Sequence, residues 1–285
     1  MGKLKRVLFV LLISLCAIIT SGCATITYSK IDTLGGQTQE KITIDLNYDA
    51  LSAAGVTYSK YADVKQKIKA DLEQYFIKPI TDFIKFYDES PNITQEQFKV
   101  IQNNIEPVVT EAGNTISASI TFNNKYVYDL YIRYLIANSQ TDVNSNTKIE
   151  YGFLFYTIIQ TQNNVFGDVT ANKYKPFYEK YTGEFSAYSS LDLSDLKFVQ
   201  LYASQDTRLG SNADETAIEN TFKMHLWEID PLNANNVIQF YDYSPNTVNW
   251  YVIALVLTGF LIITLFFVYF NKQGNVYKTK IDYED

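Results

Sequence analysis

The sequence predicts an α+β protein, an antiparallel sheet with helices packed on one face, plus one C-terminal transmembrane helix. Apolar and polar residues alternate strictly over 41–48 and 115–122, which predicts two strands. Apolar residues recur at spacings of three and four from Tyr61 to Tyr87, which predicts a long amphipathic helix. A run of 21 uncharged residues near the C-terminus predicts a membrane span.

The first segment, residues 1–23, has the composition of a secretory signal peptide. Three basic residues precede the apolar run Val7–Thr20, and small residues follow it. As a helix this run is about 21 Å long, which is shorter than the ~30 Å hydrocarbon core of a bilayer. We therefore expect export and cleavage of the signal. An uncleaved signal anchor is the alternative.

The end of this segment, Ser21-Gly22-Cys23, resembles the lipobox of bacterial lipoproteins. The resemblance implies that Cys23 becomes the lipidated first residue of the mature chain. Thr20 departs from the pattern, because the family has Leu, Val or Ile at that position. Ordinary cleavage beside Cys23 or Ala24 is the other interpretation, since the flanking residues are small.

Several further elements are predicted for residues 24–247, which we expect to form one extracytoplasmic domain. A strand over 25–32 should pair with the 41–48 strand through a hairpin at Gly35-Gly36. Pro79 should kink or split the long helix. Thr94 and Gln97 have the spacing of a capping box that opens a short helix. Another helix is predicted to begin near Asn124, and later strands are predicted over 149–161, 197–203, 221–229 and 237–243.

The uncharged run Trp250–Phe270 would be about 31 Å long as a helix, which matches a bilayer core. Aromatic residues lie at both of its ends, as in the aromatic belts of membrane proteins. We expect a transmembrane helix over 248–270 and a cytoplasmic tail over 271–285 with three lysines. The last predicted strand ends so near Trp250 that the domain must lie close to the membrane.

Composition and charge exclude several classes of protein. The chain has 285 residues, 47% of them apolar, and a net charge of −7. The segment between the signal and the membrane span has 18 basic and 28 acidic residues, a net charge of −10. Such an acidic domain is not expected to bind nucleic acid or anionic headgroups. With one His and two Cys, a zinc cluster lacks ligands, and we expect no metal and no cofactor.

The polar loop 204–216 is a candidate binding site for a ligand or partner. It concentrates Asp206, Arg208 and Asp214. The carboxylate oxygens of the two Asp could bind Ca²⁺, although the spacing is not that of an EF-hand. The other interpretation is a polar hairpin turn in which Arg208 pairs with a carboxylate.

A second candidate is the irregular aromatic segment 174–188, which includes Tyr178 and Tyr181. It contains a Pro and a Gly and lacks helical or strand periodicity, so its rings could form a binding loop. Alternatively the rings fold back over the core.

The sequence predicts no catalytic set. His225 lies on a predicted strand without a nucleophile motif, which favours a structural role. Two acidic pairs, Asp192/Asp195 and Asp214/Glu215, could serve as the acids of a glycosidase. That chemistry depends on a carboxylate separation that sequence does not supply.

The layout of Gly22-Cys23, a strand hairpin directly after it and a C-terminal span opened by Trp250 resembles LppM-type exported proteins of bacterial envelopes. The resemblance implies an α+β ectodomain without a defined enzyme activity. Our leading hypothesis is a membrane-anchored extracytoplasmic binding or scaffolding protein, whose partners are the membrane and another membrane protein or an envelope component. The alternatives are an envelope hydrolase that uses acidic residues and a sensor.

Overall fold

The computed structural model describes residues 22–138, 145–162, 196–229 and 237–281. The strands in these residues are β1 (Ala24–Asp32), β2 (Thr38–Leu46), β3 (Ile105–Ala112), β4 (Thr115–Phe122), β5 (Ser145–Tyr151), β6 (Phe155–Gln162), β7 (Leu196–Ser204), β8 (Gly210–Ser211), β9 (Glu215–Glu219), β10 (Phe222–Ile229) and β11 (Ile238–Pro245). The helices are α1 (Tyr48–Ala53), α2 (Tyr58–Leu72), α3 (Lys78–Asp88), α4 (Gln95–Asn103), α5 (Lys125–Asn138) and α6 (Thr247–Ile281). The predicted α+β class is confirmed.

Seven strands form the main sheet, in the order β3-β4-β2-β1-β7-β10-β9. The β1–β2 hairpin is the predicted one, with Ala24 opposite Leu46 and Asp32 opposite Thr38. Its turn includes Gly36 at φ +77°, a left-handed conformation that glycine adopts without strain. A smaller four-stranded sheet has the order β5-β6-β11-β8.

The main sheet departs from the prediction at one pair, because β1 and β7 run parallel while the other paired strands of this sheet are antiparallel. Ala24 lies opposite Leu196 and Asp32 opposite Ser204. The hairpin occupies one edge of β1, and β7 pairs with the other edge after more than 160 intervening residues. A parallel pair requires such a long connection, and alternation within a strand does not encode its direction.

The helices pack on one face of the main sheet, as predicted. Strand residues such as Ile26, Ile44 and Ile120 join buried helix residues such as Ile68 and Phe83 in one core. The opposite face carries a second apolar cluster of Ile31, Val199, Leu201, Ala203, Phe222, Met224 and Leu226. Both faces of β1 are therefore buried over most of its length.

The predicted long helix is split, as Pro79 indicated. Helix α2 ends at Leu72, a π-helical segment follows over Glu73–Ile77, and α3 begins with Pro79 in its first turn. The Lys78 N–H donates to the Glu73 carbonyl five residues back, so the π-helical segment leads directly into α3, and Pro79 brings no N–H of its own that would need an acceptor. The capping box of α4 is also confirmed, since Thr94 and Gln97 each accept a hydrogen bond from the other's backbone N–H.

Some elements were not predicted. Helix α1 and strands β3, β8 and β9 are too short or too irregular in pattern to be recognised from periodicity. The strand predicted over 149–161 is instead the β5–β6 hairpin, which turns at Gly152, Phe153 and Leu154. The apolar residues of this turn carry no sequence pattern that distinguishes them from strand residues.

The chain divides into two compact units. One consists of Met1–Asn146 with Gln160–Phe240, and the other of Thr147–Ile159 with Tyr241–Asp285. In the second unit α6 begins two residues after Pro245 and continues beyond the predicted span, to Ile281. In the part of the chain that the structure describes, one helix stretch, Thr247–Gln273, is long and apolar enough to cross a membrane. None of its most apolar window is buried, so it fits a single-pass membrane anchor.

Candidate functional site

A cleft of about 700 Å³ lies in the first unit, where β1 begins, β2 ends and β3 turns into β4. It is lined by Gly22, Thr25, Asp45, Leu46, Asn47, Tyr48, Asp49, Tyr58, Tyr61, Lys65, Gly113 and Asn114. The volume falls within the range of about 300–1,000 Å³ that is usual for small-molecule sites. The lining combines tyrosine rings with carboxylate, amide and ammonium groups.

Backbone hydrogen bonds hold the three segments around the cleft together. The Asn47 N–H donates to the Cys23 carbonyl at 2.9 Å, and the Leu46 N–H donates to the Asn114 carbonyl at 3.1 Å. Asn47 also caps α1, since its side-chain oxygen accepts from the Ala50 N–H at 3.2 Å. The β3–β4 turn includes Gly113 at φ +62°, which glycine permits. The cleft walls are therefore fixed by sheet pairing, a helix cap and a turn.

Three tyrosines form the aromatic wall. The Tyr48 ring meets the Tyr61 ring edge to face, with centroids 4.9 Å apart, and meets the Tyr58 ring at 6.3 Å. Tyr61 is 5% exposed and Tyr58 is 75% exposed, so the wall runs from the core to the surface. Tyr58 thus offers a ring on which a ligand can pack without disturbing the core.

Polar groups of the cleft lining are held in place by hydrogen bonds. The Tyr61 hydroxyl donates to Oδ1 of Asn114 at 2.9 Å. Lys65 Nζ donates to the Gly113 carbonyl at 2.7 Å and forms an ion pair with Glu111. Burial, together with the nearby negative charge of Glu111, raises the pKa of the Tyr61 hydroxyl, which therefore stays protonated and remains a donor.

Asp45 contributes a half-buried carboxyl group to the cleft lining. Its Oδ1 accepts a hydrogen bond from the Thr115 hydroxyl, whereas its Oδ2 is buried without a partner among the described residues. Burial raises the pKa of Asp45, and the Thr115 hydrogen bond and the charge of Lys41 oppose this shift. An incompletely satisfied buried carboxyl is costly, so its presence in a cleft marks a functional-site candidate.

Sequence reasoning did not find this cleft. Its lining comes from four separate segments (22–25, 45–49, 58–65 and 113–114), and no motif joins them. Two local signals were available. Asn47 lies directly before a helix, and Gly113-Asn114 separates two strands, as turn residues do. Neither signal indicates that the two positions meet in space.

The predicted polar loop forms an ion pair. Arg208 Nε and Nη2 donate to the two carboxylate oxygens of Asp206 at 3.1 and 3.2 Å, and this pair lowers the pKa of Asp206. Asp214 accepts instead from the backbone N–H of Glu228 at 2.8 Å. The described residues contain no group of acidic, His or Cys side chains suited to a metal ion. The arginine–carboxylate interpretation therefore describes the observed geometry.

His225 lies inside a ring cluster. It is fully buried, its Nδ1 is 2.6 Å from Oγ of Ser211, and the rings of Tyr202, Trp227 and Phe240 surround it at centroid distances of 6.2, 6.1 and 6.2 Å. Burial, assisted by the charge of Lys223, lowers the pKa of His225 to about 4. A neutral imidazole closed off from solvent has the geometry of a packing residue.

The other predicted site residues are placed as follows. Tyr178 and Tyr181, with Asp192 and Asp195, lie outside the described residues. Glu215 lies on the exposed strand β9, beside Asp214. Cys23, the predicted lipidation site, is fully buried in the main core next to the cleft.

Comparison with known proteins yields one weak similarity. No family model and no curated protein match the chain. The NMR structure of the folded domain of LppM from Mycobacterium tuberculosis is similar at a TM-score of 0.31 and 7% sequence identity. The match covers 80% of this chain and 94% of that domain. A TM-score this low does not establish a common fold, so no property of that protein is transferred to this chain.

Proposed function

We propose that this chain is a membrane-anchored extracytoplasmic binding protein. In this proposal α6 crosses the membrane and the cleft beside Tyr58 takes a small ligand rich in hydroxyl groups, such as one or two units of an envelope glycan. The observation that carries the proposal is the cleft itself. It joins an exposed aromatic wall to a set of fixed polar groups.

The chemistry of the lining favours a hydroxylated ligand without negative charge. Tyrosine rings offer apolar faces on which a sugar ring can pack, and amide and carboxyl oxygens can accept hydrogen bonds from its hydroxyls. Two carboxyl groups, Asp45 and Asp49, line the cleft, and Lys65 is already paired with Glu111. An anionic ligand would therefore find no uncommitted cation among the described lining residues.

The lining also favours binding over catalysis. The described residues that line the cleft include no Ser, Cys or His, so the usual pairing of such a nucleophile with a histidine base is not formed by that lining. Of the carboxylates named for a hydrolase, Asp214 accepts a hydrogen bond from the Glu228 backbone N–H, and Asp192 and Asp195 lie outside the described residues.

Ligand binding can be tested on the full chain in lipid nanodiscs. The probes are neutral oligosaccharides of N-acetylglucosamine, and the measurement is saturation-transfer NMR with titration. Tyr58→Ala should weaken binding by about two- to tenfold, because a ring contact contributes roughly 0.5–1.5 kcal/mol. Tyr126→Ala, which removes another exposed tyrosine ring, 61% exposed on α5, is the matched control and should leave affinity unchanged. Equal affinity in both variants, or no transfer to any probe, would overturn the glycan assignment.

The expected orientation places the main domain outside and the C-terminus in the cytoplasm. The three lysines after the apolar stretch support it, because cytoplasmic flanks carry an excess of basic residues. Single cysteines introduced by Ile218→Cys and Lys278→Cys, with Cys16→Ser and Cys23→Ser as the background, can be treated with an impermeant maleimide on intact cells. Labelling at 218 but not at 278 is expected. The reverse pattern would show the opposite orientation.

A further inference from the structure

The turn of the β5–β6 hairpin lies against the first turn of α6. The Asn246 N–H donates to the Leu154 carbonyl at 2.8 Å, and the Trp250 indole N–H donates to the same carbonyl at 3.1 Å. Asn249 Nδ2 donates to the Phe153 carbonyl at 2.6 Å. Two successive carbonyls of the turn thus accept hydrogen bonds from residues at the start of α6, and these bonds fix the turn beside the helix.

The turn has a tight backbone that depends on glycine. The Gly152 N–H donates to the Phe155 carbonyl at 2.8 Å, and a Cβ at position 152 would lie 2.5 Å from that same oxygen. No other residue type fits there without moving the backbone. The tip, defined here as Tyr151–Phe155, is therefore a tight turn with a defined backbone conformation.

The tip exposes large aromatic side chains. Tyr151 is 79% exposed, Phe153 70% and Phe155 50%. The adjoining helix start continues this surface, with Trp250 43% and Tyr251 73% exposed, and the Phe155 and Trp250 rings meet edge to face at 6.2 Å. Exposed apolar surface costs roughly 25 cal/mol per Å² in water, and contiguous patches of this kind mark interaction surfaces.

The position of the tip indicates what covers it. Its five residues carry no charge, and α6 carries none from Thr247 until Lys272. The tip is hydrogen-bonded at the level of Trp250, which is where an aromatic belt meets the lipid headgroups if α6 spans the bilayer. Tyr and Trp side chains favour that interfacial region because one end is apolar and the other polar.

We propose that the tip is a second membrane-contacting element, which inserts the side chains of Tyr151, Phe153 and Phe155 into the interfacial layer of the leaflet that α6 enters. This inference rests on the proposed function, since it requires α6 to span the membrane. A single transmembrane helix can rotate about its own axis and can tilt relative to the membrane normal. A rigid tip attached to its first turn adds a second contact and so restricts rotation of the second unit at the membrane surface.

The test uses spin labels on the full chain in vesicles of phosphatidylcholine and phosphatidylglycerol. Single cysteines are introduced by Phe153→Cys, Leu261→Cys and Ile218→Cys, with Cys16→Ser and Cys23→Ser as the background. The measurement is the ratio of collision with oxygen, which concentrates in lipid, to collision with a water-soluble nickel chelate. Ile218 is the matched aqueous control, since it is 67% exposed on β9.

We expect the ratio at 153 to exceed the ratio at 218 by about threefold or more, because interfacial side chains lie roughly 5–10 Å into the headgroup and acyl boundary. A lipid-like ratio at 261 with an aqueous ratio at 153 would overturn this inference and leave the anchor intact. An aqueous ratio at 261 would overturn the anchor, and the inference with it. Protection of position 153 from both reagents would indicate a protein partner and would overturn insertion into lipid.

Discussion

Oγ of Ser211 lies 2.6 Å from Nδ1 of His225, and this contact joins the short strand β8 to β10 of the main sheet. The imidazole is surrounded by Tyr202, Trp227 and Phe240 and has no solvent exposure. Its Nε2 has no hydrogen-bond partner among the described residues. The folded protein therefore holds this side chain in the neutral form, and its stability becomes coupled to pH.

We expect the chain to lose stability as the pH falls from about 6.5 to about 4. The pKa of His225 is lowered to about 4 in the fold and is near 6.5 when unfolded, so the unfolded state binds the proton first. The stabilisation is fully present above pH 6.5, and roughly 2 kcal/mol of it should be lost by pH 5. Urea unfolding in detergent micelles at pH 7.5 and pH 5 measures this. His225→Gln should lose less unfolding free energy between pH 7.5 and pH 5 than the wild type does. An unchanged loss would show that another group causes the pH dependence.

Asp45 should have the opposite pH dependence. Burial raises its pKa above the ordinary value, so the folded state holds the proton more tightly than the unfolded state does. The contribution of Asp45 to folding stability is therefore most favourable in acid, and it is lost as the pH rises through the pKa of the folded state. Asp45→Asn should raise the Tm at pH 7 relative to the wild type, and this gain should vanish in acid. Asp63→Asn, on the exposed side of α2, is the control and should change the Tm little at either pH.

Phe83 should be among the most costly residues to truncate. It is fully buried, and its ring meets those of Tyr87, Tyr131 and Tyr134 at 5.0, 5.3 and 5.5 Å. Phe83→Ala should lower the free energy of unfolding by about 3–5 kcal/mol, since it removes the contacts and leaves a cavity. Phe86→Ala, one turn along α3 at a half-exposed site, should cost about 1 kcal/mol or less. Similar losses in the two variants would argue against the observed orientation of α3.

The state of the Cys23 thiol distinguishes lipidation of the N-terminus from signal cleavage at another position. If the lipobox functions, a clickable fatty acid fed to the cells should label the protein, and Cys23→Ser should abolish that label. If cleavage occurs elsewhere, the thiol stays in the core, where it is fully buried. It should then resist maleimide in the folded protein and react once denaturant is added. A thiol that reacts readily in the folded protein would contradict the burial of Cys23.

Local rules were sufficient where a single segment decides its own structure. The β1–β2 hairpin, strand β4, the capping box at Thr94 and the break near Pro79 follow from alternation, turn chemistry, capping and the missing proline N–H. The apolar stretch of α6 follows from length and the absence of charge. Each of these features depends on residues that are close in the chain, so the sequence by itself determined them.

The tertiary structure decided everything that depends on which distant segments meet. The parallel pairing of β7 with β1 places residue 196 beside residue 24, and nothing in either strand encodes that choice. The cleft exists because Asp45, Tyr58 and Asn114 converge from separate elements. The aromatic tip faces α6 because Asn249 and Trp250 bind its carbonyls. Periodicity reports which face of an element is buried, and only three-dimensional packing decides what it is buried against.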